Sequence, residues 1–413
     1  MFTASLWVTA QILADRFGLH KFPYGNITQY AFSPSSLRGH GVQNEWKFSM
    51  GRTPSEIREA LLRTGSSVKL IGPTDPDRVS MPHSPQARMR LLTYTFVESG
   101  LPIIACYYNY RGGHAVTLVG HLLPDGLELE DGAAAEDIPA SSATLSFGNR
   151  IDGLNARGHR FEHHMLGQIV QLYYCHNDNY GPFDRLQILP HTQSEQLKSA
   201  VNADPKWPST KPIRENAVML LRGRQKGPGV PEEDQLLTSS AVLNALICPL
   251  PPYVQSSPFL VIRDALKLFN RFLDVKPDWV TVPDSADSAS SKGRCVRILW
   301  RCLMASAPDF KRSLIRRRYP VEIVDEYLKM HLPLYVWLLE FSVGQESSLG
   351  TGCRRAICGE FLYDPTRSKY EPACLAVRMQ GRFAAHRDIQ CLKRVCRDSA
   401  ARGIGPFVPV ETR

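Results

Sequence analysis

Apolar positions recur at helical spacing from residue 3 to residue 17, with Leu6, Ile12, Leu13 and Phe17 near one face, so the chain opens on an amphipathic helix. "RTPSEIREALLRTG" (52–65) predicts a short capped helix: Thr53 is the N-cap, Glu56 sits three residues on, and Gly65 ends it. "SPQARMRLLTYTFVESG" (84–100) predicts another helix closed by glycine. The pattern then shifts to strands. "LPIIACYYNY" and "HAVTLVGH" read as neighbours joined by "RGG", with "GQIVQLYYCHND" and "DRLQILP" as the third and fourth. Helices first and an antiparallel sheet after them make an α+β arrangement, not the alternation of a doubly wound sheet.

Small polar residues interrupt this sheet over 122–166, which reads as a surface insertion. The proline-punctuated stretch 191–236 reads as a linker. A second α+β domain is expected over 237–385. "NALICPLPPYV" predicts a strand, and "SPFLVIRDALKLFNRFL" an amphipathic helix. "RCVRILWRCLM" is the next strand, followed by helices in "APDFKRSLIRR" and "PVEIVDEYLKM". Strands in "PLYVWLLEFSV", "RRAICGEFLYDPT" and "ACLAVRMQGRF" complete it, and 386–413 reads as a basic tail. The expected organisation is thus 1–190, a linker, 237–385 and a tail.

Composition narrows the class. The 413 residues are 43% apolar and 22% charged, ordinary for a globular chain, and no apolar run of membrane-spanning length occurs. The first residues lack the basic start of a signal peptide. The ten cysteines are irregularly spaced, which suggests reduced thiols and a cytoplasmic setting. The net charge of +9 is uneven: residues 291–413 carry 22 Lys+Arg against 12 Asp+Glu. The densest run, Lys311 to Arg318, is a candidate face for an acidic or nucleic-acid partner; the alternative is a solvated helix face.

The chemistry centres on "YNYRGGHAVTLVGH". His114 follows Gly112 and Gly113 and opens an apolar strand, where backbone and substrate can approach closely. "YYCHNDNYGPF" then ends a strand with Asn177 and Asp178, either of which can accept from an imidazole. A nucleophilic cysteine needs a helix N-terminus to favour its thiolate, a histidine to handle the proton and an acceptor to hold that ring. The order helix, strand histidine, strand Asp/Asn matches this need. The plainer alternative is a half-buried strand histidine with an ordinary hydrogen bond.

These pieces resemble the papain-like cysteine peptidases, in particular the C39-like branch that processes bacteriocins. "ESGLPIIACYYNYRGGHAVTLVGH" is similar to the family's G-x-P-V-I … G-H-A-V-x-V-x-G strand pair, with Gly100, Pro102, Gly113, His114, Ala115, Val116 and Gly120 in place. "MFTASL" is similar to its C-x-x-A-x-L helix start at Ala4 and Leu6. The resemblance covers 1–190. It implies a papain-like helix-plus-sheet domain, a peptide or protein substrate, no cofactor, His114 as base, and Asp178 as its orienting partner with Asn177 as second choice. It also puts the nucleophile position on Met1, and a thioether cannot be deprotonated. Either the native chain extends upstream to a cysteine, or this is an inactive relative that binds through its degenerate cleft. Cys106 and Cys175 lie within strands and are poor substitutes.

Other candidates are weaker. Cys353, Cys358, Cys391 and Cys396 form two C-x4-C pairs, wider than zinc knuckles. In "GHRFEHHM", His159 and His163 would share a face if helical, with His164 beside them; a polar helix or loop fits better than a metal site. Glu340, Glu360 and Asp364 would converge if their strands pair, either for acid–base work or as strand-end carboxylates bound by Arg354, Arg355 or Arg367. No membrane partner is expected.

Overall fold

A computed structural model of the chain describes residues 2–27, 53–72, 85–109, 112–123, 128–130, 160–170, 172–178, 181–189, 217–224, 236–275, 295–317, 319–344, 354–367, 373–379 and 382–385. Its helices are α1 (Phe2–Phe17), α2 (Pro54–Leu62), α3 (Pro85–Glu98), α4 (Pro258–Val275), α5 (Ala307–Arg316) and α6 (Val321–Lys329). Its strands are β1 (Ser67–Ile71), β2 (Ile103–Asn109), β3 (Gly112–Leu122), β4 (Glu128–Glu130), β5 (Arg160–Met165), β6 (Leu172–Asn177), β7 (Gly181–Ile188) and β8 (Ala217–Arg224). They continue with β9 (Leu236–Leu250), β10 (Cys295–Ser306), β11 (Tyr335–Gly344), β12 (Arg354–Ala356), β13 (Gly359–Asp364), β14 (Ala373–Met379) and β15 (Arg382–Ala385). The architecture is α+β.

Two compact units form, and they interleave in sequence. The first combines 1–122 with 170–253, and the second combines 123–169 with 254–413. The stretch read as a linker contains β8, and β9 belongs to the first unit. The stretch read as a surface insertion contributes β4, which pairs with β12, and β5, which pairs with β10. These strands are short and polar, with no alternation to announce them. Their pairing partners lie more than a hundred residues away.

In the first unit the antiparallel order is β1-β9-β2-β3-β6-β7-β8, and β8 also pairs with β9. Six strands therefore close on themselves, which removes the free edges an open sheet would leave. β9 closes the ring by pairing with β2 along one edge and with β8 along the first half of the other, whose second half takes β1. α1 and α2 set Leu6, Ala10, Ile57 and Leu61 against Ile104, Ala245 and Ile247. α2 starts as its sequence dictates. The Thr53 side chain accepts from the Glu56 N–H, and Glu56 returns the bond to Thr53 N. α3 is buried at every position from Arg88 to Val97, so no face of its central turns meets water. Gly100 ends it at φ +71, where a Cβ would strike the Arg16 guanidinium.

The second unit is a six-stranded sheet, β15-β14-β13-β11-β10-β5. Strand alternation divides its side chains between two layers. On one face Trp300, Phe341 and Phe361 meet Phe269 and Phe272 of α4. On the other, Val336, Leu338, Leu362 and Ala376 meet Phe310 and Leu314 of α5 and Ile323 and Tyr327 of α6. No helix among the described residues is long and apolar enough to cross a membrane.

Candidate active site

β2 and β3 form the hairpin that carries His114, with Tyr107 opposite it across the pair. The Tyr107 ring stands edge-on to the imidazole, with centroids 5.5 Å apart. β3 next pairs with β6, whose end brings Asn177 and the following turn to the same place. Asn177 Oδ1 lies 3.0 Å from His114 Nε2, and Asp178 Oδ1 lies 3.4 Å from the same nitrogen. The histidine side chain is 9% exposed and that of Asp178 is 20% exposed, so the pair sits at the rim of the core. His114, Asn177 and Asp178 thus come together. The closer partner is Asn177, whereas the sequence resemblance favours Asp178.

One more residue joins them. Asn177 Nδ2 donates to Asp184 Oδ2 at 2.9 Å, and Asp184 Oδ1 accepts from the Arg185 N–H. Burial pushes the Asp184 carboxyl up, while these two bonds and the nearby His114 pull it back. Sequence reading passes over Asp184. The available signal was the hairpin itself: a return strand after "DNYG" puts an acidic residue back beside the end of β6.

α1 reaches this site with its first turn. Ser5 Oγ donates to the carbonyl of Ala115, the residue after His114, at 3.0 Å. Thr117 Oγ1 donates back to Ser5 O at 2.9 Å, and Thr9 meets the same threonine hydroxyl at 3.3 Å. These bonds lock the helix onto the start of β3. The opening turn of a helix carries unpaired N–H groups and the positive end of its dipole, which is where a thiolate is favoured. Met1 lies outside the described residues. Neither strand cysteine fills the role: both are buried, and burial pushes the Cys106 thiol up to about 12 and Cys175 higher still.

The other candidates resolve differently. His163 and His164 lie on β5, not on a helix or loop, and both are buried. His163 Nδ1 accepts from the Trp300 indole at 3.0 Å, and its Nε2 meets Asn270 Oδ1 at 3.3 Å. His159, Cys353, Cys391 and Cys396 lie outside the described residues. No group of three or more His, Cys, Asp or Glu suited to a metal occurs among the described residues.

Glu340 and Glu360 face each other across β11 and β13, while Asp364 binds Thr366 and Arg367 at the strand end. The two glutamates are fully buried within a charged row across four strands: Arg301 opposite Glu340, Glu340 opposite Glu360, Glu360 opposite Arg378. Arg317 bonds both carboxylates, and Tyr319 and Tyr327 donate to Glu360. Arg301, Arg317 and Arg378 hold these glutamates, Arg367 holds Asp364 as one of the expected pairings, and the side chains of Arg354 and Arg355 lie outside the described residues. Burial pushes the Glu360 carboxyl up, but Arg378, Arg317 and the two hydroxyls outweigh it and hold it below the usual range.

The basic run is committed within the fold at Lys311 and Arg317, whereas Arg312 and Arg316 are exposed on α5. Lys311 Nζ donates to the carbonyls of Leu328 and Met330, and Arg312 pairs with Asp309. Arg317 serves the glutamates, and Arg318 lies outside the described residues. Compared with family models, with curated proteins and with solved structures, the chain gives no match.

Proposed function

We propose that the first unit is a papain-like cysteine peptidase domain, built to cleave a peptide or other amide through a thioester. The observation that carries this reading is the convergence of three parts at one point: the first turn of α1, His114 at the start of β3, and the acceptors Asn177 and Asp178 at the end of β6. The acceptors occupy Nε2, which leaves Nδ1 as the nitrogen that exchanges a proton with a nucleophile at the helix start. A thiolate there attacks the carbonyl carbon, and His114 passes its proton to the leaving amine. Water, deprotonated by His114, then hydrolyses the thioester and regenerates the thiol. In this chain the nucleophile position falls on Met1, so turnover depends on a thiol supplied at that place.

The test is chemical. The full-length chain carrying Met1→Cys behind a removable leader is alkylated across a pH series, and the N-terminal peptide is read by mass spectrometry. The introduced thiol is expected to react as a thiolate at least about one pH unit below a free cysteine, and His114→Ala is expected to abolish that shift. A thiol that titrates like a free cysteine, unaffected by His114→Ala, would overturn the proposal. The same mass measurement on the protein from its own host shows which residue precedes Phe2.

A further inference from the structure

A histidine base must hold its proton on the correct nitrogen, and a neutral imidazole has two choices. At this site the choice traces back to a residue that never touches the ring. Asp184 lies opposite Cys175 on the β6–β7 hairpin, so its side chain shares the face that Cys175 and Asn177 present. Its carboxylate can only accept, so the Asn177 atom facing it at 2.9 Å is the amide nitrogen. The carbonyl oxygen of Asn177 must then face His114, where it lies 3.0 Å from Nε2. An oxygen there accepts from Nε2–H and leaves the lone pair on Nδ1. Turning the amide over would set its oxygen against the Asp184 carboxylate and its N–H toward the ring, which would reverse the tautomer.

The backbone around Asp184 is held in an uncommon shape. Phe183, directly before it, sits at φ +62, and the pairing register slips between Cys175 and Asn177. An L-residue at such a φ is strained, and strain of this kind persists where the surroundings fix it. The bulge places Asp184 beside Asn177 rather than one residue further along the hairpin.

We infer that Asp184 is a positioning residue of the His114 site, fixing the Asn177 amide so that the neutral imidazole carries its proton on Nε2 and keeps Nδ1 as the base. Its catalytic meaning rests on the peptidase reading above; the tautomer does not.

The test reads the tautomer directly, by long-range nitrogen–proton NMR of the His114 ring in the full chain. Asp178 also reaches Nε2, so the comparison is made in a D178A background. D178A alone is expected to keep the Nε2–H form. In D178A/D184A the Nδ1–H form is expected to gain about tenfold in ratio, the weight of one hydrogen bond to a charged group. D178A/D184E keeps a carboxylate, which can only accept, and is expected to restore the original ratio. D184L, which neither accepts nor donates, serves the same comparison as D184A if the alanine variant does not fold. An unchanged ratio in the folded D178A/D184A or D178A/D184L protein would overturn the inference. Failure of the thiol-alkylation test would leave this result standing, so the two proposals fail separately.

Discussion

Acid should weaken the second unit through His163 well before its carboxylates titrate. The imidazole is buried between α4 and β10, and both ring nitrogens are spoken for. Trp300 donates to Nδ1, so the neutral ring carries its hydrogen on Nε2, facing Asn270 Oδ1. A second proton has to enter at Nδ1, against the indole N–H that already points there. Burial therefore drives the His163 pKa down to about 4; the Asn270 bond opposes this in part, and His164 adds to it. Because the folded value lies below the unfolded one, the unfolded chain binds the extra proton. Stability is intact above an unfolded pKa of about 6.5 and is lost as pH falls toward about 4. Between pH 7 and pH 5 the linkage amounts to about 2 kcal/mol, a large share of the net stability of a folded unit. Urea unfolding followed by tryptophan fluorescence at the two pH values measures it. His163→Asn keeps an acceptor for Trp300 but cannot titrate, so its stability should change far less over the same interval, whatever its starting value. If His163→Asn loses as much as the wild type between pH 7 and pH 5, the reasoning about His163 is wrong.

Two further predictions concern the charged row. Glu360→Ala leaves Arg378 buried without its carboxylate and should cost about 3–5 kcal/mol in urea unfolding; a loss below about 1 kcal/mol would show that the row is not stabilised as a unit. Gly359→Ala should cost about 1–3 kcal/mol in the same assay, since a Cβ there meets the Arg378 carbonyl at 2.6 Å and overlaps the Phe341 ring; wild-type stability would mean that the β11–β13 packing yields easily.

Local chemistry made much of this molecule legible. The Thr53–Glu56 capping box, the glycine after α3 and the apolar runs on either side of "RGG" announce α2, α3 and the β2–β3 pair because each depends on neighbours within a few residues. Alternation along β11 likewise sorts Trp337 and Phe341 from Val336, Leu338 and Glu340, and the two sets do pack into different layers. What stayed hidden depends on partners distant in sequence. β8 sits in polar surroundings that read as a linker, and its ladders with β7 and β9 make it a strand. The "RFEHH" stretch carries no strand alternation, yet β10 takes it as a parallel edge. The site divides in the same way. His114, Asn177 and Asp178 stand out by type and order, whereas Asp184 gains its role from a bulged hairpin and a strained Phe183, which no spacing rule encodes.

The crossing of the two units in sequence imposes an order on biosynthesis. Everything the first unit needs has been synthesised once residue 253 is added, so the closed sheet can form as soon as that segment leaves the ribosome, while the second unit is still incomplete. β5 has been synthesised by then, but β10, its hydrogen-bonding partner, begins only at Cys295. During that interval β5 is a strand without a sheet, tethered to a finished neighbour. No single cut separates the two units cleanly: a fragment ending at 253 keeps an orphan β5, and the remainder lacks the strand that covers β10.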